Sequence, residues 1–425
     1  MNHPVDTPAD DVSLAGEGAP APGATDLQVD DAPTAEHPIG GASASVPSAE
    51  SGYGAEARTR LTSVNGVVER KIGANVLSLS DLEEVRLILR GGSIVDWYRL
   101  NLVDVEEARA FCRLLEGDPD DATDVAYLMS LREEAAEYLK EHHDYTLPPH
   151  LLMCDPIELF LYAAERKGRR KDRFFSCLLL KTIHIIHHVR SRELRYRLPL
   201  SQSVLAQLLV EKVDQFADQL FAMRFPLAEY QGGIKSSSSV ITKLLMKPDN
   251  HAAAIYDRVR FRFVVDEPRD LVPVLHLMTR HLLPFSYVVP GESVNHLVNF
   301  TALVEGHEAY RNQIDELQVE LGLEDRSARP VNESSAATYR VINFIADVPV
   351  RVPQTALANI PADGTMFGRS VFHLAEFQVV DKATAEQNEE GVNAHDAYKS
   401  RQLKRVRDRI VRGLRGVKLE EDAQG

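Results

Sequence analysis

"DRVRFRFVV" runs from Asp257 to Val265. It is short, rich in β-branched and aromatic residues, and alternates polar with apolar, the period of a strand. Three later stretches share that texture: "FSYVVP" (285–290), "YRVINFIADVPVRV" (339–352) and "FHLAEFQVVD" (372–381). Between them lie apolar residues at helical spacing, in "SVITKLLMK" (239–247), "PRDLVPVLHLMTRHLL" (268–283) and "QIDELQVELGL" (313–323). Strands interleaved with helices predict a mixed α/β region over residues 229–400. The charged segment 305–338 reads as an insertion between two of its strands.

Upstream the grammar changes. "SLSDLEEVRLILRGG" (78–92) has a Ser or Asp cap, early acids, helical spacing and a glycine stop. "DVEEARAFCRLLEG" (104–117), "DPIELFLYAAERKG" (155–168) and "PLSQSVLAQLLVEKVDQFADQLFAM" (199–223) repeat it. The expected fold class is therefore α+β, with an all-helical domain at 73–228 followed by a mixed-sheet domain at 229–400. Residues 1–72 are rich in Ala, Pro, Gly, Ser and Asp without apolar periodicity, which predicts a disordered acidic tail. Residues 401–425 predict a basic amphipathic helix and tail, with Leu403, Val406, Ile410, Leu414 and Val417 on one stripe.

A chain of 425 residues with 44% hydrophobic and 26% charged residues is composed like a globular protein. The net charge of -15 hides an asymmetry. Residues 1–60 carry ten Asp or Glu against two Arg, whereas 399–418 carry nine Lys or Arg against Asp408. That basic stretch suits RNA or ribosome contact, or it docks its apolar stripe on the α/β region and leaves its charges wet. Cys112, Cys154 and Cys177 share no metal or redox spacing and read as buried thiols. The start lacks the basic and apolar regions of a secretory signal, so the expected location is the cytoplasm. "FFSCLLLKTIHIIHHV" (174–189) is broken by Lys181 and three histidines, so no membrane partner is expected. His184, His187 and His188 share one helix face; packing is favoured over zinc because no Cys or acid accompanies them. "ERKGRRKDR" (165–173) reads as a solvated basic turn.

The α/β region carries the chemistry. "GGIKSSSSVITK" (232–243) sets Lys235 and Ser239 in a donor-rich loop ahead of a helix that bears Lys243. Lysines at a helix N-terminus can hold a polyphosphate. Asp257 stands at a strand start, and Glu376 and Gln378 lie two apart on one strand face. Two carboxylates from different strands can hold magnesium, a hard cation that prefers oxygen ligands.

These elements, in this order, resemble the synthetase domain of the RelA/SpoT family of (p)ppGpp synthetases, with its nucleotidyltransferase-like fold. Lys235, Ser239 and Lys243 match the family's loop and following helix. Asp257 and Arg262 match its next strand, and "TYRVIN" (338–343) matches "GYxSIH" through Tyr339. "EFQVVD" (376–381) matches "EIQIRT" through Glu376 and Gln378. "EEGVNAHDAYK" (389–399) matches the closing "AExGVAAHWxYK" through Gly391, Val392, Ala394, His395, Tyr398 and Lys399. About 170 of the 425 residues are covered. Three positions depart: Gly233 and Val380 stand where the family has arginine, and Asn343 where it has histidine.

The resemblance implies an ATP-dependent pyrophosphokinase that transfers pyrophosphate to the 3′-hydroxyl of a guanine or adenine nucleotide. Asp257 and Glu376 would be catalytic and hold Mg2+. Lys235, Ser239, Lys243 and Arg262 would bind ATP, and Tyr339, Asn343 and Gln378 the acceptor. A tRNA 3′-end pyrophosphokinase of the same fold and a catalytically silent nucleotide-sensing module are the two other readings.

Overall fold

The structure, a computed structural model, describes residues 77–90, 97–246, 258–300, 302–303, 338–358, 360, 367–390 and 395–410. The expected acidic tail, the "QIDELQVELGL" helix, nearly all of the 305–338 insertion and the basic stretch after 410 lie outside these residues. No described helix is long and apolar enough to cross a membrane.

The first part of the chain is helical: α1 Leu79–Arg90, α2 Val105–Leu114, α3 Ala122–His143, α4 Pro149–Met153, α5 Glu158–Ala163, α6 Arg170–Arg197 and α7 Gln202–Ala222. Side-chain caps explain where several begin. Glu107 N–H donates to Asp104 Oδ1 at 2.9 Å ahead of α2, and Thr123 N–H to Asp121 Oδ1 at 2.8 Å ahead of α3. Each satisfies a backbone donor that the helix itself leaves unpaired. The basic turn before α6 is tied down rather than loose. Arg166 donates to the Leu102 carbonyl at 2.8 Å, and Asp172 accepts from the Arg169 N–H at 2.8 Å.

The strands follow: β1 Leu227–Ile234, β2 Val259–Val265, β3 Val294–Asn295, β4 Ile342–Arg351 and β5 Ser370–Asp381. Among the described residues they form one sheet in the order β1-β2-β5-β4-β3, with β2 and β5 parallel and the other neighbours antiparallel. Helices α8 Ser237–Met246, α9 Leu271–His281, α10 Gln354–Leu357, α11 Lys382–Asn388 and α12 His395–Ile410 accompany it.

The alternation of "VRFRFVV" sorts the sheet into two faces. Phe261, Phe263, Phe344 and Phe377 point to one side, all fully buried. Phe344 stacks on Phe377 at 5.2 Å, and Phe216 of α7 meets Phe263 at 6.0 Å. Gly232 lies in β1 opposite Phe261, where a Cβ would sit 2.5 Å from the Tyr230 hydroxyl and 3.0 Å from the Phe261 ring. A side chain there would have to push aside the Tyr230 hydroxyl, which donates to Asp214 at 2.6 Å, so glycine suits the approach. The pair Gly232–Gly233, expected in a loop, is thus part of a strand.

One hydrophobic core runs from Leu82 and Trp97 through α2, α5, α6 and α7 to Phe261, Phe377 and Val379. Residues 73–228 and 229–400, expected as successive domains, share it. A buried ion cluster also joins them. Arg280 of α9 donates to Asp81 at 2.9 Å, approaches Glu84 at 3.0 Å and donates to the Asn101 carbonyl at 2.7 Å.

The segment "FSYVVP" forms a 3-10 turn at Phe285–Tyr287 and a single bridge from Val288 to Ala346, not a strand of its own. Pro284 and Pro290 bracket it and cannot donate to a ladder.

Candidate functional site

The second face of the sheet is polar at its centre. In-register pairing sets Arg260 beside Glu376 and Arg262 beside Gln378, and Asn343 of β4 flanks Gln378 on the other side. Gly233 and Gln231 of β1 complete the row. Val264, Val341, Val380 and Ala385 close one end as a small apolar cluster, with Tyr339 packed on it. Helix α6 covers the other end. There the His188 ring stacks on Phe372 at 3.9 Å, and His187 Nε2 lies 3.1 Å from Ser370 Oγ.

The centre is a linked set of contacts. Arg260 Nε donates to Glu376 Oε2 at 2.7 Å, and Lys235 Nζ stands 3.8 Å from the same oxygen. Gln378 Nε2 donates to Glu376 Oε1 at 3.1 Å and reaches Asn343 Oδ1 at 3.3 Å. Glu376 has only 6% of its side chain exposed, whereas Arg260 keeps 38% open to solvent. A buried carboxylate needs such pairing to remain charged. Arg262 pairs at 3.3 Å with Glu389, just beyond α11. Burial pushes the Tyr339 phenol up, and the charges of Arg262 and Arg260 beside it pull the other way.

Of the residues singled out from sequence, Lys235, Glu376, Gln378 and Asn343 are joined by direct contacts, with Arg262 and Tyr339 next to them. Ser239 lies in the first turn of α8, exposed, with its hydroxyl 3.0 Å from that of Ser236. Ser236 is the serine that caps the helix, accepting weakly from the Ser239 N–H at 3.4 Å. Lys243 lies on α8, and its side chain is outside the described atoms, as is the whole of Asp257. Of the motif 389–399, Gly391–Ala394 are outside the described residues; His395 begins α12.

The three departures have clear surroundings. A Cβ on Gly233 would meet nothing within 4 Å, so the space for a side chain exists and is left open. Val380 is buried in the apolar cluster, and Asn343 is buried against Gln378. Arg260 is the site residue that sequence reasoning passed over. Its signal was present: it stands two residues before Arg262 in an alternating strand.

Magnesium was expected on Asp257 and Glu376. A magnesium ligand must offer an oxygen lone pair to the ion. Both Glu376 oxygens are instead turned to donors, Oε2 to Arg260 and Lys235 and Oε1 to the Gln378 amide. Asp257, the other expected ligand, lies outside the described residues. Among the described residues, no group of three or more His, Cys, Asp or Glu could hold a metal ion. His184, His187 and His188 are packed among Trp97, Tyr287 and Phe372, and burial lowers all three below the ordinary imidazole value. Cys112 and Cys177 are buried and Cys154 is half-buried; burial pushes the first up to about 12 and the second to about 11.

Helix α12 packs beside α8. Val406 is buried, while Leu403 and Ile410 are 60% and 52% exposed, so the described part of the stripe docks through one residue.

No family model and no curated protein matches the chain. Among solved structures, it is similar to the small alarmone synthetase 2 from Bacillus subtilis at 14% identity and a TM-score of 0.25, over 50% of this chain and 97% of that one. The small alarmone synthetase 1 from Bacillus subtilis, bound to its product pppGpp, matches at 12% identity and 0.28, over 49% and 85%. A GTP pyrophosphokinase family protein from Streptococcus pneumoniae matches at 13% and 0.24, over 49% and 83%.

Proposed function

We propose that the polar face of the sheet binds a nucleoside polyphosphate, and that the chain transfers pyrophosphate from ATP to the 3′-hydroxyl of an acceptor nucleotide. The observation that carries this reading is the convergence of Lys235, Arg260 and Arg262 around buried Glu376, with the Asn343–Gln378 amide pair alongside. Cationic side chains fixed on strands can hold phosphate oxygens and offset the charge that develops during transfer. Arg262 and Lys235 would grip the donor's phosphates. The acceptor hydroxyl would give up its proton to solvent and form its bond to the β-phosphorus as the bond to the α–β bridging oxygen breaks and AMP leaves. Tyr339, at the rim by the arginines, would stack on the acceptor base, and Asn343 and Gln378 would orient it.

Purified protein given ATP labelled on the γ-phosphate, with GDP, GTP, ATP and tRNA as acceptors, tests this by thin-layer chromatography. Label on an acceptor together with an equal amount of AMP is the expected result, abolished in Glu376→Gln. Label appearing only as free phosphate or pyrophosphate refutes the transfer.

A second reading is favoured by the Arg260–Glu376 pair. A carboxylate occupied by an arginine suits a module that binds nucleotide without turning it over. Binding of ATP with no transfer to any acceptor is its signature.

A further inference from the structure

Helix α6 is apolar on every side through "FFSCLLLKTIHIIHHV" (174–189). Its inner face is used: Leu179, Leu180, His184 and His187 are buried against the core. Its outer face is not. Phe174, Ile185, Val189 and Tyr196 are 54%, 46%, 64% and 76% exposed. At about 100° per residue these four fall within about 60° of one another, and Leu178, Lys181 and Arg192 lie along the same stripe. A helix that is apolar all round is normally covered all round, and large apolar side chains gathered on one surface mark an interaction site. Tyr145 extends the stripe at one end, exposed and 6.2 Å from Phe174.

The spacing of the stripe says what covers it. Phe174 and Tyr196 each stand eleven residues from Ile185, about three turns, so the stripe reads nearly alike in both directions. We infer that this face of α6 binds a second copy of the chain, paired antiparallel about a two-fold axis at Ile185. A two-fold axis requires a surface that is complementary to itself. Ile185 then meets its own copy, and Phe174 with Tyr145 meets the second copy's Tyr196. Lys181 falls opposite Val189 and Arg192 opposite Leu178, so no charge on the stripe directly faces its like, and the long stems cover apolar surface. Antiparallel helices crossing at about 20° stay in reach over this length when large side chains stand at the ends, and here both ends are aromatic. The contact runs about 33 Å and is one helix wide, roughly 300–400 Å² per copy against about 800 Å² for a standard interface. The dimer is therefore weak, populated at high concentration. It is independent of what the polar face of the sheet binds.

Sedimentation equilibrium of the full chain from about 1 to 500 μM measures the pairing, and the wild type should dimerise with a dissociation constant of about 10–100 μM. Ile185→Asp sets two carboxylates against each other on the axis and should leave only monomer. Tyr196→Lys, about three turns away, should weaken the dimer about tenfold or more, as loss of an interfacial aromatic does. Both positions are exposed in the single chain, so the two variants should melt like the wild type at low concentration. Oxidation tests the geometry. Ile185→Cys should form a disulfide-linked dimer, because the axis brings that residue within reach of its own copy. Val189→Cys is at least as exposed, yet stands about 12 Å along the helix from its counterpart and should not. Cys112 and Cys177 are buried and Cys154 is half-buried, so the wild type oxidised alongside gives the background. Monomer at every concentration overturns the inference, and so does a dimer that survives Ile185→Asp, which would lie on another face. Crosslinking of Val189→Cys as fast as of Ile185→Cys overturns the antiparallel two-fold arrangement, and a Tyr196→Lys dimer as tight as the wild type overturns the pairing of Phe174 with Tyr196.

Discussion

Replacing Arg280 with methionine separates a two-domain chain from a single cooperative unit. Arg280 lies on α9, in the sheet half. Its partners Asp81 and Glu84 lie on α1, in the helical half, and both are buried. Methionine fills most of the volume but removes the cation from two buried carboxylates and a donor from the Asn101 carbonyl. Breaking a buried ion cluster by removing one partner costs about 3–5 kcal/mol, because the remaining charge stays desolvated. The backbone N–H of Asn101 and the hydroxyl of Ser78 still reach the acids, which argues for the lower half of that range. At about 2 °C per kcal/mol for a large unit, the melting midpoint should fall by roughly 6–8 °C. Scanning calorimetry of the full chain is the assay. The transition that carries most of the enthalpy should move as a whole, since the core that joins the halves is continuous. Two resolved transitions of which only one shifts, or a shift below about 2 °C, would refute the coupling.

Acid should destabilise the fold through the histidines of α6. Burial lowers His187 to about 3 and His188 to about 4, so the unfolded chain takes up their protons first. Their stabilisation is present above the ordinary imidazole value and is lost as pH falls from about 6.5 toward about 4. Asp347, 3.5 Å from His188, opposes this: burial raises it to about 7, so its penalty grows as pH climbs from about 4 to 7. Three protons taken by the unfolded chain, on His184, His187 and His188, against one by the fold leave a net loss on acidification of about 2.7 kcal/mol per pH unit. Melting temperatures at pH 7 and 5 measure it, and His188→Gln should flatten the slope. Val406→Lys should release α12 from α8 and speed proteolytic cleavage within 395–410, while Leu403→Lys leaves cleavage unchanged; equal effects would deny Val406 its anchoring role.

The alternation of residues 259–265 and 372–381 placed two central strands from sequence, because period-2 burial is written locally. Strand β1 was not legible. "LAEYQGGI" has two glycines and little β-propensity, and it is a strand because β2 lies beside it. The boundary near residue 228 was legible as a change of secondary structure, but such a change says nothing about where the core ends. Phe216 on one side and Phe263 on the other meet in the same apolar layer.

The same limit explains Arg260. Its face follows from the pattern "RVRFRF", which puts Arg260 and Arg262 on one side and Phe261 and Phe263 on the other. Its partner does not, because Glu376 is 116 residues away and only the β2–β5 register brings them together. A shift of one residue in that register would set Arg260 against Phe377 and bury a charge on the apolar side, so the phenylalanines lock the arginine onto Glu376. The core residues thereby fix the electrostatics of the opposite face. Conservative exchange among Phe261, Phe263 and Phe377 should therefore leave the ion pair intact, whereas a polar residue at Phe261 removes the penalty against slippage and weakens the one arrangement in which Lys235, Arg260 and Glu376 meet.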